Sequence, residues 1–361
     1  MEKGKITLND IARIAGVTIG TVDRAMHNRS GISEKTRQKI LDIAKEYDYK
    51  PDIIGRSLSM KRKRLKIGVL LRREPTFFWD HAARGIRVAA KEMEAFGINP
   101  QIEYFHMTSG FTDEEYIAMY RSTLIQMNED HKNAFILVPV NHPFLVEDVN
   151  FLNKKGIPVV TLNDDREDSQ RIFHIGPDTY QSGRVAAQLT GGLLSGQGRV
   201  LLYTANYSSS GYFLRKKGFM DKMHESYPDI HITERNQKTV LEAFYGGDVD
   251  IRSFDCICNI DGATVSEGVA LLKQKGDVDF IKYIGFEINS DVKEHLADGS
   301  IHAVISQDAF SQGYFALRML CEYLVYAKQP KYDRMFVRCD IILKENMIIN
   351  DRIVNPYFMG D

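Results

Sequence analysis

Apolar residues at Leu8, Ile11, Ala12 and Ala15 carry helical spacing, with Thr7 placed to cap and Asp10 in the first turn. Gly16 ends that helix, and Thr18 caps a second one running to about Met26, so the Ala15-Gly16-Val17 turn predicts a helix-turn-helix. Ser33 opens a third helix in which Thr36, Ile40, Ile43, Ala44 and Tyr47 form one stripe while Lys35, Arg37, Lys39 and Lys45 point elsewhere. Three short helices sharing one small core are expected. Beyond residue 66 the pattern changes to apolar strands separated by helical stretches. IGVLL (67–71), IEYF (102–105), AFILVPV (134–140) and IPVVTL (157–162) form one series; RVLLYTA (199–205), CICNI (256–260), FIKYIGF (280–286) and HAVIS (302–306) form a second. Strand-helix alternation predicts parallel sheets covered on both faces, and two such halves predict a bilobed α/β body with a cleft at the carboxyl ends of the strands.

Charge sharpens this division. Residues 1–66 hold 16 Lys plus Arg against 8 Asp plus Glu, a net +8, and the remaining 31 against 40 give −9. A basic head on an acidic body suits a polyanion, because cations that neutralise phosphates release condensed counterions. No apolar run approaches the ~18 residues needed to cross a bilayer, and MEKGKITLND lacks the apolar core of a secretion signal, so a cytoplasmic protein without membrane contact is expected.

Other signals are structural. Cys256, Cys258, Cys321 and Cys339 are too scattered for a disulfide framework or a metal quartet and read as buried thiols. GGLLSGQG (191–198) lacks a nucleotide-binding context and reads as a helix end and turn; SSSG (208–211) has no nucleophile-elbow pattern. GPD (176–178) reads as a turn ahead of a helix from Tyr180, with Asp178 near the cleft. No cofactor, metal or catalytic residue is expected.

The string ITLNDIARIAGVTIGTVDRAMHNRSGISEKTRQKILDIAKEYDYKPDIIGRSL resembles, without a gap from Thr7 to Leu58, the DNA-binding region of the lactose repressor (LacI/GalR) family of bacterial regulators. The resemblance implies double-stranded operator DNA as partner. Thr7 and Leu8 would open the first helix against phosphate, and Thr18, Thr21, Ser33, Thr36 and Tyr49 would fix register on the backbone. Ile19 and Gly20 occupy the sequence-reading positions, where Ile19 offers only contact with a thymine methyl; Arg24 is the best base reader. Asp23 stands where the family usually has Ser, and it either accepts from a cytosine amine or, as expected, pairs with Arg24 or with Arg29, itself a further DNA contact. PDIIGRSLSM (51–60) matches the family's hinge, with Arg56 and Leu58 as DNA contacts and Leu58 as the wedge that enters the minor groove. Ten residues with an internal Gly55 are too few for isolated helicity, so the hinge should form only on DNA.

The body resembles more loosely the family's sugar-binding part, which is similar to periplasmic binding proteins. PTFFWDHAARGI, GIPVVTLNDD, HIGPDTYQSGRVAA, RKKGF, IGFE and ISQDAFSQGYFA carry this likeness. It implies that Phe77, Phe78 and Trp79 stack on a sugar while Asn163, Asp164, Glu287 and Gln307 bridge its hydroxyls, with Asn259 or Asp261 completing the ring. Phe213 stands where the family has a ligand-gripping Arg, and Glu287 replaces a shorter Asp, so the pocket is reshaped. Arg72, Arg73 and His106 at strand tips leave open a sugar acid beside a neutral saccharide.

The expected organisation is a helix-turn-helix head (5–50), a hinge helix and basic linker (51–66) and a bilobed effector-binding and dimerisation body (67–361). The expected function is that of a homodimeric transcriptional regulator, a repressor of carbohydrate-related genes released by a sugar-type effector. The alternative is a cytoplasmic sugar-binding or enzymatic protein whose head serves only association.

Overall fold

The computed structural model describes residues 6–26, 31–47, 49, 64–106, 113–204, 210–247, 249–326 and 328–347. In the head, α1 (Leu8–Ala15), α2 (Ile19–Met26) and α3 (Glu34–Glu46) enclose Ile11, Ala12, Ala15, Val22, Ala25, Ile40, Ile43 and Ala44. Thr7 caps α1 through a reciprocal box with Asp10, and Gly16, at φ 69°, closes it in the left-handed region that a Cβ disfavours. Ser33 accepts from the Thr36 amide to start α3.

The α3 stripe differs from expectation at two points. Tyr47 is half exposed, while Tyr49 packs on the core in its place. Arg37 turns inward, and Lys39, although exposed, reaches back with its tip. The Arg37 Nη1 donates to the Arg24 carbonyl at 3.3 Å and the Lys39 Nζ to the Ala15 carbonyl at 3.0 Å. Both cations sit on the carbonyl-rich ends of the first two helices, where the aligned peptide dipoles favour positive charge.

The body begins with β1 (Leu65–Arg72), so Leu65 and Lys66 belong to a strand and not to a linker ending at 66. The first lobe continues through α4 (Thr76–Glu92), β2 (Ile98–Phe105), α5 (Asp113–Glu129), β3 (Ala134–Leu137), α6 (Pro143–Lys154), β4 (Val159–Leu162) and β5 (Phe173–Pro177). The second comprises α7 (Thr179–Leu193), β6 (Gln197–Tyr203), α8 (Ser210–Ser226), β7 (Asp229–Arg235), α9 (Val240–Tyr245), β8 (Cys256–Asn259), α10 (Val265–Lys275), β9 (Lys282–Phe286), α11 (Ser290–Ala297) and β10 (Ala303–Gln307). Then α12 (Ala309–Tyr326) and β11 (Arg334–Val337) return to the first lobe, and β12 (Cys339–Ile342) joins the second.

The two sheets have matching orders, β11-β5-β4-β3-β1-β2 and β12-β10-β9-β8-β6-β7. All pairings are parallel except β10 with β12, an antiparallel edge that the alternation alone did not indicate. The chain therefore passes between lobes three times, after Pro177, after Gln307 and at Arg338. Each order reverses beside β1 and β6, the arrangement that opens a crevice at the carboxyl ends of the strands.

Residues 176–178 are not a turn: β5 runs through Pro177, and the Asp178 side chain caps α7 by accepting from the Gln181 amide. Cys256, Cys258 and Cys321 are buried, whereas Cys339 is half-buried. Within each lobe a helix pair meets backbone to backbone. A Cβ on Gly313 of α12 would strike the Ala82 carbonyl of α4, and one on Gly183 of α7 the Arg215 carbonyl of α8. Glycine is required at both crossings because nothing flexible lies opposite. The second crossing fixes the backbone from which Arg215 reaches the space between the lobes.

Candidate functional site

A cavity lies between the carboxyl ends of the two sheets, lined by side chains from both lobes. The first lobe contributes Arg72 from the end of β1, Pro75, Phe78 and Trp79 from the start of α4, and Asn163 and Asp164 from the turn after β4. The second contributes Tyr212 and Arg215 from α8, Gly262 and Ala263 after β8, Glu287 after β9 and Gln307 from β10; Thr179 stands at the first crossing.

Asn163 and Glu287 follow the corresponding strands of the two lobes, and both have positive φ, 66° and 63°. Non-glycine residues in this region are uncommon and cluster where a backbone is bent to serve a site. The main chain holds each bend: the Asn163 amide donates to the Ile175 carbonyl and the Glu287 amide to the Ile305 carbonyl. The Asn163 side chain also donates to Gln312 of α12 at 3.1 Å, which ties the turn to the returning helix.

The cavity's charges are strongly constrained. Arg72 forms a buried ion pair with Asp164 at 2.5 Å, and the coulombic gain outweighs desolvation, so the guanidinium is held above its ordinary pKa. Arg215, 6% exposed, lies 4.1 Å over the Phe286 ring and donates through Nη1 to the Ile260 carbonyl at 2.7 Å. The Nε atoms of both arginines are buried without a hydrogen-bond partner. Glu287 accepts from the Gln307 side-chain amide, and burial pushes its carboxyl up to about 7. Asp261 is wholly buried behind the wall, accepting from the Tyr212 hydroxyl, the Ala263 amide and the Thr264 hydroxyl; burial raises its pKa as well.

Six of the expected residues line the cavity: Phe78, Trp79, Asn163, Asp164, Glu287 and Gln307. Four do not. Phe77 packs on the core of the first lobe. Phe213 is 63% exposed, because it falls on the outer face of α8. Asn259 is enclosed, donating to the Thr264 and Tyr283 hydroxyls, and Asp261 acts through Tyr212. Arg73 lies over Tyr104, and His106 bonds Glu74 on the surface, so neither reaches the cavity.

Arg215, two residues beyond Phe213 on α8, lines the cavity although it was not among the residues expected there. The helical spacing of Tyr212, Arg215, Phe219 and Met223 already put an arginine on the inner stripe of α8, and that signal was available in the sequence.

In the head, Thr18, Ile19, Gly20 and Arg24 are exposed together on α2, and Thr7 and Ser33 stand exposed at the starts of α1 and α3. Leu8, Thr21, Thr36 and Tyr49 are half-buried, and the Thr18 and Thr21 hydroxyls share a 2.9 Å hydrogen bond. Arg29, Arg56 and Leu58 lie outside the described residues. Asp23 is half-buried and already engaged by a neighbour.

Residues 67–329 match the periplasmic binding protein domain, and residues 7–52 match the bacterial regulatory proteins of the lacI family. The chain belongs to the lacI family, with a periplasmic-binding-protein body. It is a DNA-binding transcriptional regulator. The regulator is 26% identical over 271 residues to the sucrose operon repressor of Staphylococcus xylosus, a match spanning 74% of this chain and 78% of that one. It is 29% identical over 182 residues to the ribose operon repressor of Bacillus subtilis, half of each chain. Its fold is that of the glucose-galactose binding protein GanP from Geobacillus stearothermophilus, with TM-score 0.68, 21% identity, and 78% of this chain and 99% of the other covered. A solute-binding protein from Bacillus halodurans with bound myo-inositol gives TM-score 0.65 at 16% identity, covering 78% of the regulator and 96% of that protein. Among the described residues, no helix is long and apolar enough to cross a membrane.

Proposed function

We propose that the regulator represses carbohydrate-related genes and that a small sugar-type effector, held between the lobes, controls its affinity for an operator. The observation that carries this reading is the shared cavity wall: aromatic faces and an ion pair from one lobe oppose an arginine, an acid and an amide from the other. A polyhydroxylated ring needs flat apolar walls with a few fixed donors and acceptors, and this wall offers both. A ligand touching both lobes fixes their separation. The names of the related sucrose and ribose operon repressors agree with sugars as the ligand class.

The regulator acts in the cytoplasm as a homodimer. The exposed turn of α2, with Thr18, Ile19 and Arg24, enters the major groove of each half-site, while Thr7 and Ser33 bond the flanking phosphates. Residues 51–60 of the two protomers pair over the centre of the site and insert Leu58. The spacing between bodies sets whether they do so, which couples effector to operator reciprocally by about 1 to 3 kcal/mol. Binding of the effector releases the DNA.

An electrophoretic mobility assay on the region upstream of the chain's own gene tests this. Operator binding should fall steeply with salt and be relieved by a sugar that also raises the melting temperature of the protein. Salt-insensitive association with no sequence preference would overturn it.

A further inference from the structure

We propose that Arg171 is a positioning residue that ties the effector-bearing turn after β4 to the third crossing between the lobes; the proposal rests on reading the interlobe cavity as the effector site. Asn163 and Asp164 line the cavity, and the next residue, Asp165, bonds instead to Arg171. The guanidinium grips that carboxylate with two parallel hydrogen bonds, from Nε at 2.5 Å and from Nη2 at 2.6 Å. Its third nitrogen, Nη1, donates at 3.0 Å to the carbonyl of Asp333, the residue before β11. One side chain, 4% exposed, therefore spans from the turn to the strand that leads into the crossing at Arg338. Beyond the crossing Cys339 pairs with Gln307, whose side-chain amide holds Glu287 on the opposite cavity wall. The two walls thus meet again behind the hinge.

Burial singles out Arg171 among the links at this place. Arg334 of β11 also reaches the loop, through Glu167, but that acid is 66% exposed, and exposed ion pairs contribute little. Burial alone would raise the Asp165 carboxyl, yet Arg171, His174 and Thr161 together outweigh it and hold the group below the ordinary carboxylate range. Thr161 donates to Asp165 at 2.8 Å and so accepts from the His174 Nδ1 at 3.1 Å, which pins the base of the turn to β5. The helices after the first two crossings are capped by Asp178 and Asp308, so those crossings are fixed locally. The third runs from strand to strand, and Arg171 holds its first-lobe end to the cavity. A shift of Asn163 and Asp164 on ligand binding carries β11 with it, and through β11 the angle between the lobes. The Asp333 carbonyl also accepts from the His174 amide at 2.9 Å, so loss of Arg171 does not leave it unbonded.

Hydrogen exchange of the full chain without added sugar tests this. R171K keeps a cation for Asp165 but cannot also reach Asp333, because an ammonium lacks the guanidinium's fork. The β11 amides of R171K should exchange about tenfold or more faster than the parent's, while those of residues 164–166 stay within about threefold. N163G disturbs the cavity end of the link. In the parent it should speed exchange of β11 about threefold or more, and in R171K it should add no more than about 1.5-fold. D165N/R171Q removes both charges together, leaves no buried ion unpaired and should open β11 to the same extent as R171K; it decides the matter if R171K does not fold. Unchanged exchange of β11 in both variants, or the same response to N163G with and without Arg171, overturns the link and leaves the effector site standing. Absence of any sugar effect in the mobility assay above overturns the effector reading instead, and does so without altering these exchange rates.

Discussion

Replacement of Glu287 by Gln probes the least comfortable group in the cavity. The side chain is 7% exposed and burial pushes its carboxyl from 4.5 up to about 7. Below about pH 4.5 the group is neutral in both the folded and the unfolded chain. As the pH rises from there to about 7 the unfolded chain gives up the proton and the folded one keeps it, so stability is lost over that window. The gap is worth about 3 kcal/mol. Glutamine removes the titration but turns an amide towards the Gln307 N–H, now 3.4 Å from an acceptor oxygen, at a pH-independent cost of about 1 kcal/mol. E287Q should therefore be about 1 kcal/mol less stable than the parent near pH 4.5 and about 2 kcal/mol more stable near pH 8. His174 runs the other way, since burial pushes its ring down to about 4 and its contribution is lost as the pH falls below 6.5. It is common to both proteins and cancels in their difference. Urea unfolding of the two full chains followed by circular dichroism at several pH values gives that difference, and parallel curves would refute the reasoning.

Three further outcomes are expected. Lys39→Met removes the cation seated on the end of α1 and should destabilise the head by about 1 kcal/mol, read as an earlier thermal transition in a fragment-resolved hydrogen-exchange experiment; an unchanged α1 would count against the contact. Gly183→Ala drives a methyl into the Arg215 carbonyl and should cost about 1 to 3 kcal/mol and weaken effector binding together; full affinity with intact stability would show that the α7–α8 contact is not needed to place Arg215. Leu58→Ala should weaken specific operator binding more than nonspecific binding, and equal losses in a salt-matched titration would dismiss the wedge.

Much of this architecture was legible because local chemistry dictates it. Thr7, Gly16 and Ser33 are capping residues: α1 begins and ends beside the first two, and α3 begins beside the third. What escaped depends on partners distant in sequence. That Lys39 bends back to Ala15, 24 residues away, is decided by tertiary packing and not by its place on the α3 stripe. The antiparallel edge at β12 follows from a chain that has already returned to the first lobe through α12 and β11. In the cavity, Asn163, Asp164, Glu287 and Gln307 were legible through the resemblance to the family's sugar-binding part, and the structure places all four at or just beyond the carboxyl ends of strands. Phe213 and Arg215 were confused because only the rotation of α8 distinguishes inside from outside, and one residue is a turn of 100°. Asn259 looked like a ligand group but is consumed by Thr264 and Tyr283.

The three crossings lie on the same side of both sheets, beside β5 and β11 in one lobe and β10 and β12 in the other. Two stiff plates stitched along one margin by three short seams resist shear and twist but swing like covers on a spine. On the function proposed above, a molecule held between them would make itself felt by changing the angle at which the two plates meet.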